Sequence, residues 1–302
     1  MDSKPLVSII IPTYSRPNNI TRSIDSVISQ TYNNIEVIVV DDNGEVTPYQ
    51  LETEKALHDY IKQNIIKYIK HDVNKNGSAA RNTGFRACRG EYVNFLDDDD
   101  VFMRDNIHIK VNSLINTPSS IGGTFSPVCY IKLDHLGKKI EYPSYYNKEG
   151  NVLEDFLIGR AMFNTSGVLF KRDVIAQLNG FDESFVRHQD FELMIRFFRN
   201  YTVKLASSKP LYYMDTTSDG SHSRIISNRF MFEHDFLSTF KEDLSAQKCY
   251  HSVCHFLYWQ CCLEYLNGKI LGLFLKSFIY SLRHGFFSCR EIYYMLLTVV
   301  KS

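Results

Sequence analysis

Glu91-Tyr92-Val93-Asn94-Phe95-Leu96-Asp97-Asp98-Asp99-Asp100 is the stretch on which the reading of the fold turns: an apolar run of strand character that drives into four adjacent carboxylates. Like charges side by side repel, and a strand end tolerates them when something positive sits against it. In an extended backbone alternate side chains share a face, which predicts Asp97 and Asp99 on one side and Asp98 and Asp100 on the other. Hard oxygen ligands of this kind suit Mg²⁺ or Mn²⁺, ions that take few carboxylates and complete their shell with phosphate oxygens and water. An isolated acidic run is as readily a solvated turn. The neighbouring sequence decides between the two.

Upstream, Leu6-Val7-Ser8-Ile9-Ile10-Ile11 is nearly continuous in β-branched residues, the pattern of a strand buried on both faces of a parallel sheet. Pro12-Thr13-Tyr14-Ser15-Arg16-Pro17 ends it, Ile20, Ile24, Val27 and Ile28 recur at helical spacing, and Ile35 to Val40 makes the next strand. Asp41-Asp42-Asn43-Gly44 stands where that strand stops. Thr47-Pro48 starts a helix with Leu57, Tyr60 and Ile61 on one face, Ile65 to Ile69 is a third strand, and Asn76-Gly77-Ser78 opens a helix that carries Arg81 and Asn82. Strand and helix alternate up to the acidic run. The fold class is therefore α/β, with a doubly wound, mostly parallel sheet.

Open α/β sheets bind ligands beyond the carboxyl ends of their strands. Thr13 to Arg16, Asp41 with Asp42, and Asp97 to Asp100 all follow strands, so they fall on one rim. No GxGxxG follows the first strand, which excludes the dinucleotide fingerprint. A carboxylate after the second strand can accept hydrogen bonds from a base or ribose, Arg81 can meet phosphate, and the aspartate run can hold a metal that bridges a diphosphate. The rim reads as a nucleoside-diphosphate site.

Val7 to Tyr14, Val39-Val40-Asp41-Asp42, Gly77 to Asn82 and Phe95 to Asp100, followed by Gly180-Phe181-Asp182-Glu183 and Gln189-Asp190, resemble the successive motifs of family 2 glycosyltransferases over about residues 5 to 225. The resemblance implies the GT-A fold and an inverting, metal-dependent sugar transfer from a nucleotide sugar. It places Asp42 at the nucleotide base, with Pro12, Thr13, Tyr14, Arg16 and Asp41 beside it and Arg81 near the nucleotide. It places Asp97 and Asp98 toward the ribose and sugar, and Asp99 on the metal, although Asp98 to Asp100 also satisfies D-x-D. Asp190 matches the family's general base, with Gln189 where Glu is common. An isolated Asp before an apolar period is more often a helix cap; its place after Gly180 to Glu183 favours the base. The helix it opens is expected to bury Phe191, Ile195 and Phe198 and to keep the carboxylate ionised.

Other elements are less distinctive. Met103, Ile107, Val111 and Leu114 predict a helix, residues 124–142 a hairpin about His135-Leu136-Gly137, and Ser166 to Phe170 a strand. His222 is a candidate metal or phosphate ligand, and a loop histidine on the plainer reading. From about Ile226 aromatic and aliphatic residues crowd the chain, including Phe230, Phe232, Phe236, Phe240, Phe256, Tyr258 and Trp259, which reads as several helices. Cys249, His251, Cys254 and His255 are there buried helix residues rather than zinc ligands. Lys269, Lys276, Arg283, His284 and Arg290 interleave with apolar residues, so this tail can dock peripherally on a membrane, contact a second copy, or pack on the catalytic region.

The chain of 302 residues carries 34 Lys+Arg against 34 Asp+Glu, so no global field calls for nucleic acid. Seven cysteines without a CxxC pair read as reduced thiols in a cell. The short apolar run that Pro12 ends is not a signal peptide, and no stretch of about eighteen apolar residues demands a membrane span. The expected location is cytoplasmic, at the inner face of the membrane. The expected organisation is a catalytic region at residues 1–225, its nucleotide half 1–102 and acceptor half 103–225, with helices at 226–302. The expected partners are a nucleotide-sugar donor, of the UDP class, and a glycan or lipid-linked acceptor. The competing readings are a silent glycan-binding subunit and a nucleotidyltransferase; the latter needs a glycine-rich basic loop that Pro12 to Pro17 is not.

Overall fold

In a computed structural model that describes residues 4–133, 137–157, 160–161, 163–185, 187–216, 229–246, 250–267 and 271–285, the first hundred residues alternate as the sequence pattern requires. They form β1 (Val7–Thr13), α1 (Ile20–Ile28), β2 (Ile35–Asp41), α2 (Pro48–Ala56), α3 (His58–Lys62), β3 (Ile66–Lys70), α4 (Gly77–Ala87), β4 (Tyr92–Phe95) and β5 (Asp100–Phe102). Then follow α5 (Asn106–Leu114), β6 (Ile121–Phe125), β7 (Val128–Leu133), β8 (Lys139–Pro143), α6 (Leu153–Leu157), a 3₁₀ turn (Thr165–Gly167) and β9 (Val168–Lys171). The remaining elements are α7 (Arg172–Gln177), α8 (Gln189–Asn200), β10 (Thr202–Leu205), β11 (Tyr212–Asp215), α9 (Arg229–Thr239), α10 (Lys241–Ala246), α11 (Tyr250–Asn267) and α12 (Leu271–His284).

The main sheet has the order β10-β6-β9-β4-β1-β2-β3. All neighbours run parallel except β9, which is antiparallel to both β4 and β6. Ile9, Ile10 and Ile11 of β1 are fully buried, as a central strand covered on both faces requires. Helix α4 lies close against this strand because residue 84 is glycine: a Cβ there would run into the Ile10 side chain. The helix begins where Asn76, at φ 79°, accepts the Ala79 N–H at 3.1 Å. Thr47 caps α2 in the same manner at 3.2 Å, with Pro48 in its first turn.

Two expectations change. The acidic run is not extended: β4 stops at Phe95, and the Asp100 N–H donates to the Asp97 carbonyl at 3.1 Å, closing a turn. Strict alternation of the four carboxylates is therefore lost. Asp100 then opens β5, which belongs to a second sheet of order β5-β11-β7-β8 rather than extending the first. The predicted hairpin is β7 and β8 of that second sheet, and its tip residues His135 and Leu136 lie outside the described residues. The long second helix is broken at Leu57, whose buried side chain sits between α2 and α3.

The chain divides into two compact units, Met1–Leu153 with Met162–Ser218, and Glu154–Ala161 with Asp219–Ser302. The second is helical in its described part, with Phe236, Phe240, Leu244, Val253, Cys254, Tyr258, Trp259, Cys261 and Cys262 buried. Cys249, His222 and the side chains of Phe230, Phe232 and Phe256 lie outside the described residues. No helix among the described residues is long and apolar enough to cross a membrane. Cys88, Cys129, Cys254, Cys261 and Cys262 are free thiols.

One core residue runs against its burial. Lys110 of α5 is fully buried, and its Nζ has no hydrogen-bond partner among the described residues. The ammonium lies 5.7 Å from the ring centres of both Phe102 and Tyr212. Burial pushes it down to about 7. Between pH 7 and about 10 the unfolded chain thus holds a proton that the folded chain has released, so the stability of the protein should climb with pH across that window. Lys110→Met should stabilise the fold by on the order of 2–4 kcal/mol at pH 7 and flatten that climb. Urea unfolding of both proteins at pH 7 and pH 9.5 checks this; an unchanged or lower midpoint for the variant at pH 7 contradicts it.

Candidate active site

At the carboxyl ends of β1, β2 and β4 a cleft of about 340 Å³ opens, lined by residues that include Pro12, Thr13, Tyr14, Arg16, Asp42, Arg81, Asp97 and Asp98. The parallel register places Thr13 beside Asp41 and Ile10 beside Phe95, which carries all three polar clusters to one rim. Arg16 holds the rim together from the first loop: its Nη1 lies 2.9 Å from Asp98 and 2.5 Å from Asp99. Thr13 donates to Asp98 at 2.7 Å. The backbone of the turn is also fastened, with Ser23 of α1 donating to the carbonyls of Asp98 and Asp100 and Arg22 to that of Asp99.

The turn fans the carboxylates onto two arginines and a threonine. Asp97 meets Arg81 at 2.5 Å, Asp98 is turned inward onto Thr13 and Arg16, and Asp99 meets Arg16. Burial pushes the Asp98 carboxyl up to about 7, with the charges of Asp99 and Asp97 adding to the rise and Arg16 opposing it. Burial and the neighbouring Asp97 and Asp99 charges hold Asp100 well above the ordinary carboxylate range. Its Oδ2 has no hydrogen-bond partner among the described residues. Asp99 is raised as well, by burial and then by Asp97. Such mutual repulsion is what a divalent cation relieves, and the hard oxygen set of Asp97 and Asp99 fits Mg²⁺ or Mn²⁺. Among the described residues no three His, Cys, Asp or Glu side chains converge on one position. The protein would then supply one or two carboxylates, and a diphosphate and water the rest.

A second opening, lined by Arg81, Arg187, His188, Gln189, Asp190 and Phe191, adjoins the first through Arg81 and Gln189. Arg81 is the hinge between them. Its Nη2 binds Asp97, its Nη1 donates to Gln189 Oε1 at 2.9 Å, and its guanidinium lies 5.4 Å from the Phe181 ring centre. Gln189 keeps an acceptor for Arg81 without adding a charge beside Asp190. Glycine at residue 77 leaves room for this pair, since a Cβ would come within 2.8 Å of Gln189 Oε1 and 2.9 Å of Arg81 Nη1 and push their side chains aside.

Asp190 sits in the first turn of α8, behind His188 in a left-handed conformation at φ 58°. Thr165 approaches its carboxylate at 3.5 Å through both N–H and hydroxyl, and the 3₁₀ turn bearing Thr165 is itself pinned to β4 by Asn94. Burial raises the Asp190 carboxyl; Arg81 opposes this, and Asp97 adds to it. Burial thus works against the helix start, which favours the ionised carboxylate. Of the residues expected on the buried face of α8, Ile195 and Phe198 are buried with Leu193, Met194 and Phe197, whereas Phe191 lines the second opening.

Asp41 is not on the cleft. It is fully buried and accepts from the Tyr68 hydroxyl at 2.5 Å and from Asn43 N and Nδ2 at 2.9 and 2.8 Å. Asn43 in turn accepts the Ser15 N–H at 2.6 Å, so Asp41 shapes the loop that carries Arg16. Asn74, Asn76, Gly77 and Ala80 line the cleft without having been singled out as site residues. Their signal lay in the Asn-rich approach to α4, which reads equally as a cap. Nor does the sequence reveal that Asn82 clasps Phe181, donating to its carbonyl and accepting its N–H, both at 2.8 Å.

The sequence profile of Glycosyl transferase family 2 matches residues 8–178. The chain is 28% identical over 191 residues to the amylovoran biosynthesis glycosyltransferase AmsB of Erwinia amylovora, a match covering 63% of this chain and 62% of that protein's own length. Among solved structures it is similar to S. aureus TarS 1-349 in complex with UDP-GlcNAc, with a TM-score of 0.65 at 16% identity over 92% of this chain and 79% of the other. It is also similar to the mannosyltransferase PcManGT from Pyrobaculum calidifontis in complex with GDP-Man and Mn²⁺, with a TM-score of 0.58 at 16% identity over 99% and 87% of the two chains. Likeness at such identity bears on the fold alone, and that fold is GT-A. With the profile covering more than half of its length, the chain belongs to glycosyl transferase family 2.

Proposed function

We propose that this chain is an inverting glycosyltransferase that moves a sugar from a nucleotide-sugar donor, of the uridine diphosphate class, to a hydroxyl of a glycan or lipid-linked acceptor. The observation that carries the reading is the meeting of two openings at Arg81 and Gln189, one lined by Asp42, Asp97 and Asp98 and the other by Asp190. The donor class is that of the TarS complex, whose structure holds UDP-GlcNAc.

In this reading the nucleoside lies along Pro12, Thr13, Tyr14 and Asp42, with the diphosphate between Arg16 and Arg81. Mg²⁺ or Mn²⁺ held by Asp99 with Asp97 would neutralise the charge that builds on the leaving diphosphate. Asp190 takes the proton of the acceptor hydroxyl as its oxygen bonds to the anomeric carbon, and the bond to the diphosphate breaks on the opposite side. A carboxyl raised by burial is suited to this step because its basicity is closer to neutral pH, while Arg81 holds it from rising too far. The transfer chemistry falls to residues 1–225, with 1–102 contributing the nucleotide half and 103–225 the acceptor half. Residues 226–302 hold the enzyme peripherally at an anionic membrane surface. That role is supported by α12, where Leu275, Ile279 and Leu282 are exposed along one side and Lys276 and Arg283 stand beside them.

Three outcomes follow. Asp190→Asn keeps the shape and should lower transfer by about 10² to 10⁴ while UDP affinity and melting temperature hold. The acid limb of the rate profile should lie above the ordinary aspartate range, since activity is lost as pH falls through the raised carboxyl, and should vanish in this variant. Undiminished transfer by purified Asp190→Asn rejects the base. Asp99→Ala should weaken UDP binding and remove its dependence on Mn²⁺, as calorimetry with and without a chelator reads; equal affinity in all four conditions removes the metal from the donor site. Finally, the full chain should float with anionic liposomes and Ile279→Asp should float less, whereas equal recovery of both in the unbound fraction assigns α12 another role.

A further inference from the structure

Behind the cleft a file of hydrogen bonds runs from the surface to Asp42. Arg86 Nη2 donates to Thr83 Oγ1 at 3.1 Å, Thr83 Oγ1 stands 2.9 Å from His71 Nε2, and His71 Nδ1 stands 2.7 Å from Asp42 Oδ1. Chemistry fixes the direction of each link. A guanidinium only donates, so the single hydroxyl hydrogen of Thr83 is left for His71 Nε2. The same Asp42 oxygen also accepts the Lys75 N–H at 2.8 Å, which marks it as an acceptor and puts the imidazole hydrogen on Nδ1. The imidazole is 5% exposed, and its own backbone N–H donates to the Asp41 carbonyl at 2.9 Å. It cannot turn without breaking bonds at both ends of the ring.

Asp42 is held on its other side too. Asn74 Nδ2 donates to its Oδ2 at 2.8 Å and to its carbonyl at 3.0 Å, and the Asp42 N–H donates to the Thr13 carbonyl at 2.9 Å. The carboxylate plane is therefore set from the cleft side by Asn74 and from behind by His71, which like Thr83 is absent from the cleft lining. A carboxylate turned to one angle accepts a planar N–H donor best in one orientation, the property that separates recognition of a base from attraction of a charge.

We propose that His71 and Thr83 are positioning residues for nucleobase recognition: they hold Asp42 at the angle at which it accepts a ring N–H of the base, and so set affinity for the nucleoside part of the donor and not for its diphosphate. The inference rests on the donor reading above, and the two can fail separately. Thr83 and Arg86 both lie on α4, the helix that also carries Arg81. One helix therefore serves the base pocket through Thr83 and the diphosphate end through Arg81.

Calorimetry with two probes, UDP and inorganic pyrophosphate, each with Mg²⁺, tests this on the full chain. Thr83→Val removes the hydroxyl at nearly constant volume and should weaken UDP binding about threefold to tenfold, the effect of one internal hydrogen bond. His71→Ala should weaken it by about tenfold or more, because a buried carboxylate loses a charge-assisted partner. Pyrophosphate affinity should stay at the wild-type value in both, and Thr83→Ser should restore UDP affinity. Unchanged UDP affinity in Thr83→Val and His71→Ala overturns the relay. Parallel loss of UDP and pyrophosphate also overturns it, since that is the mark of a loosened fold. Wild-type protein that binds neither probe overturns the donor reading, and the relay with it.

Discussion

Four carboxylates within one turn, balanced by two arginines, are the constraint on which this molecule depends. Asp97 to Asp100 are brought together by the end of β4, and the cost of crowding them is visible in Asp98, Asp99 and Asp100, all raised above the ordinary carboxylate range. Arg16 comes from the loop after β1 and Arg81 from α4, so the neutralising charges belong to separate elements that must both be docked before the turn is tolerable. Breaking a buried ion pair on one side costs more than the pair contributes, because the remaining charge is stranded. The site therefore holds the strand ends in place as much as the strands hold the site.

Much of this was legible in the chain. β-branched runs and intervening apolar periods gave the alternation, and the rule that ligands sit beyond strand ends gathers Thr13, Asp42 and the acidic run on one rim. What was not legible is side-chain direction at the turn. An extended run predicts alternation, whereas a single carbonyl at Asp97 accepting the Asp100 N–H scatters the carboxylates to three partners. Asp41 and Asp42 show the same limit: neighbours in sequence, they divide into a buried shaper of the Ser15 loop and a wall of the cleft. Nothing in two adjacent aspartates distinguishes them; Tyr68 and His71, about 30 positions further on, do so.

The second half was read less well for a physical reason. The antiparallel placement of β9 between β4 and β6, and the separation of β5, β7, β8 and β11 into their own sheet, are long-range pairings with no local signature. Local patterns identified the hairpin of β7 and β8 but not the sheet it joins. Asn82 and Phe181 make the point within the site. The sequence shows two motifs 99 positions apart, and only the fold shows that one clasps the backbone of the other. Through that clasp the loop leading to Asp190 is registered on the helix that carries Arg81.

The turn after β4 has a consequence for how this chain can vary. Phe95 closes a strand of the seven-stranded sheet and Asp100 opens one of the four-stranded sheet, so Leu96 and the three carboxylates Asp97, Asp98 and Asp99 make up the splice between them. The splice has no slack. An inserted or deleted residue would shift β5 against β11, where Asp100 pairs with Met214 and Phe102 with Tyr212, and turn the facing side chains of that strand over. Its length is thus under a stricter constraint than its composition: acidic residues can be exchanged one by one at the expense of chemistry, but a change in their number rewrites the seam between two sheets.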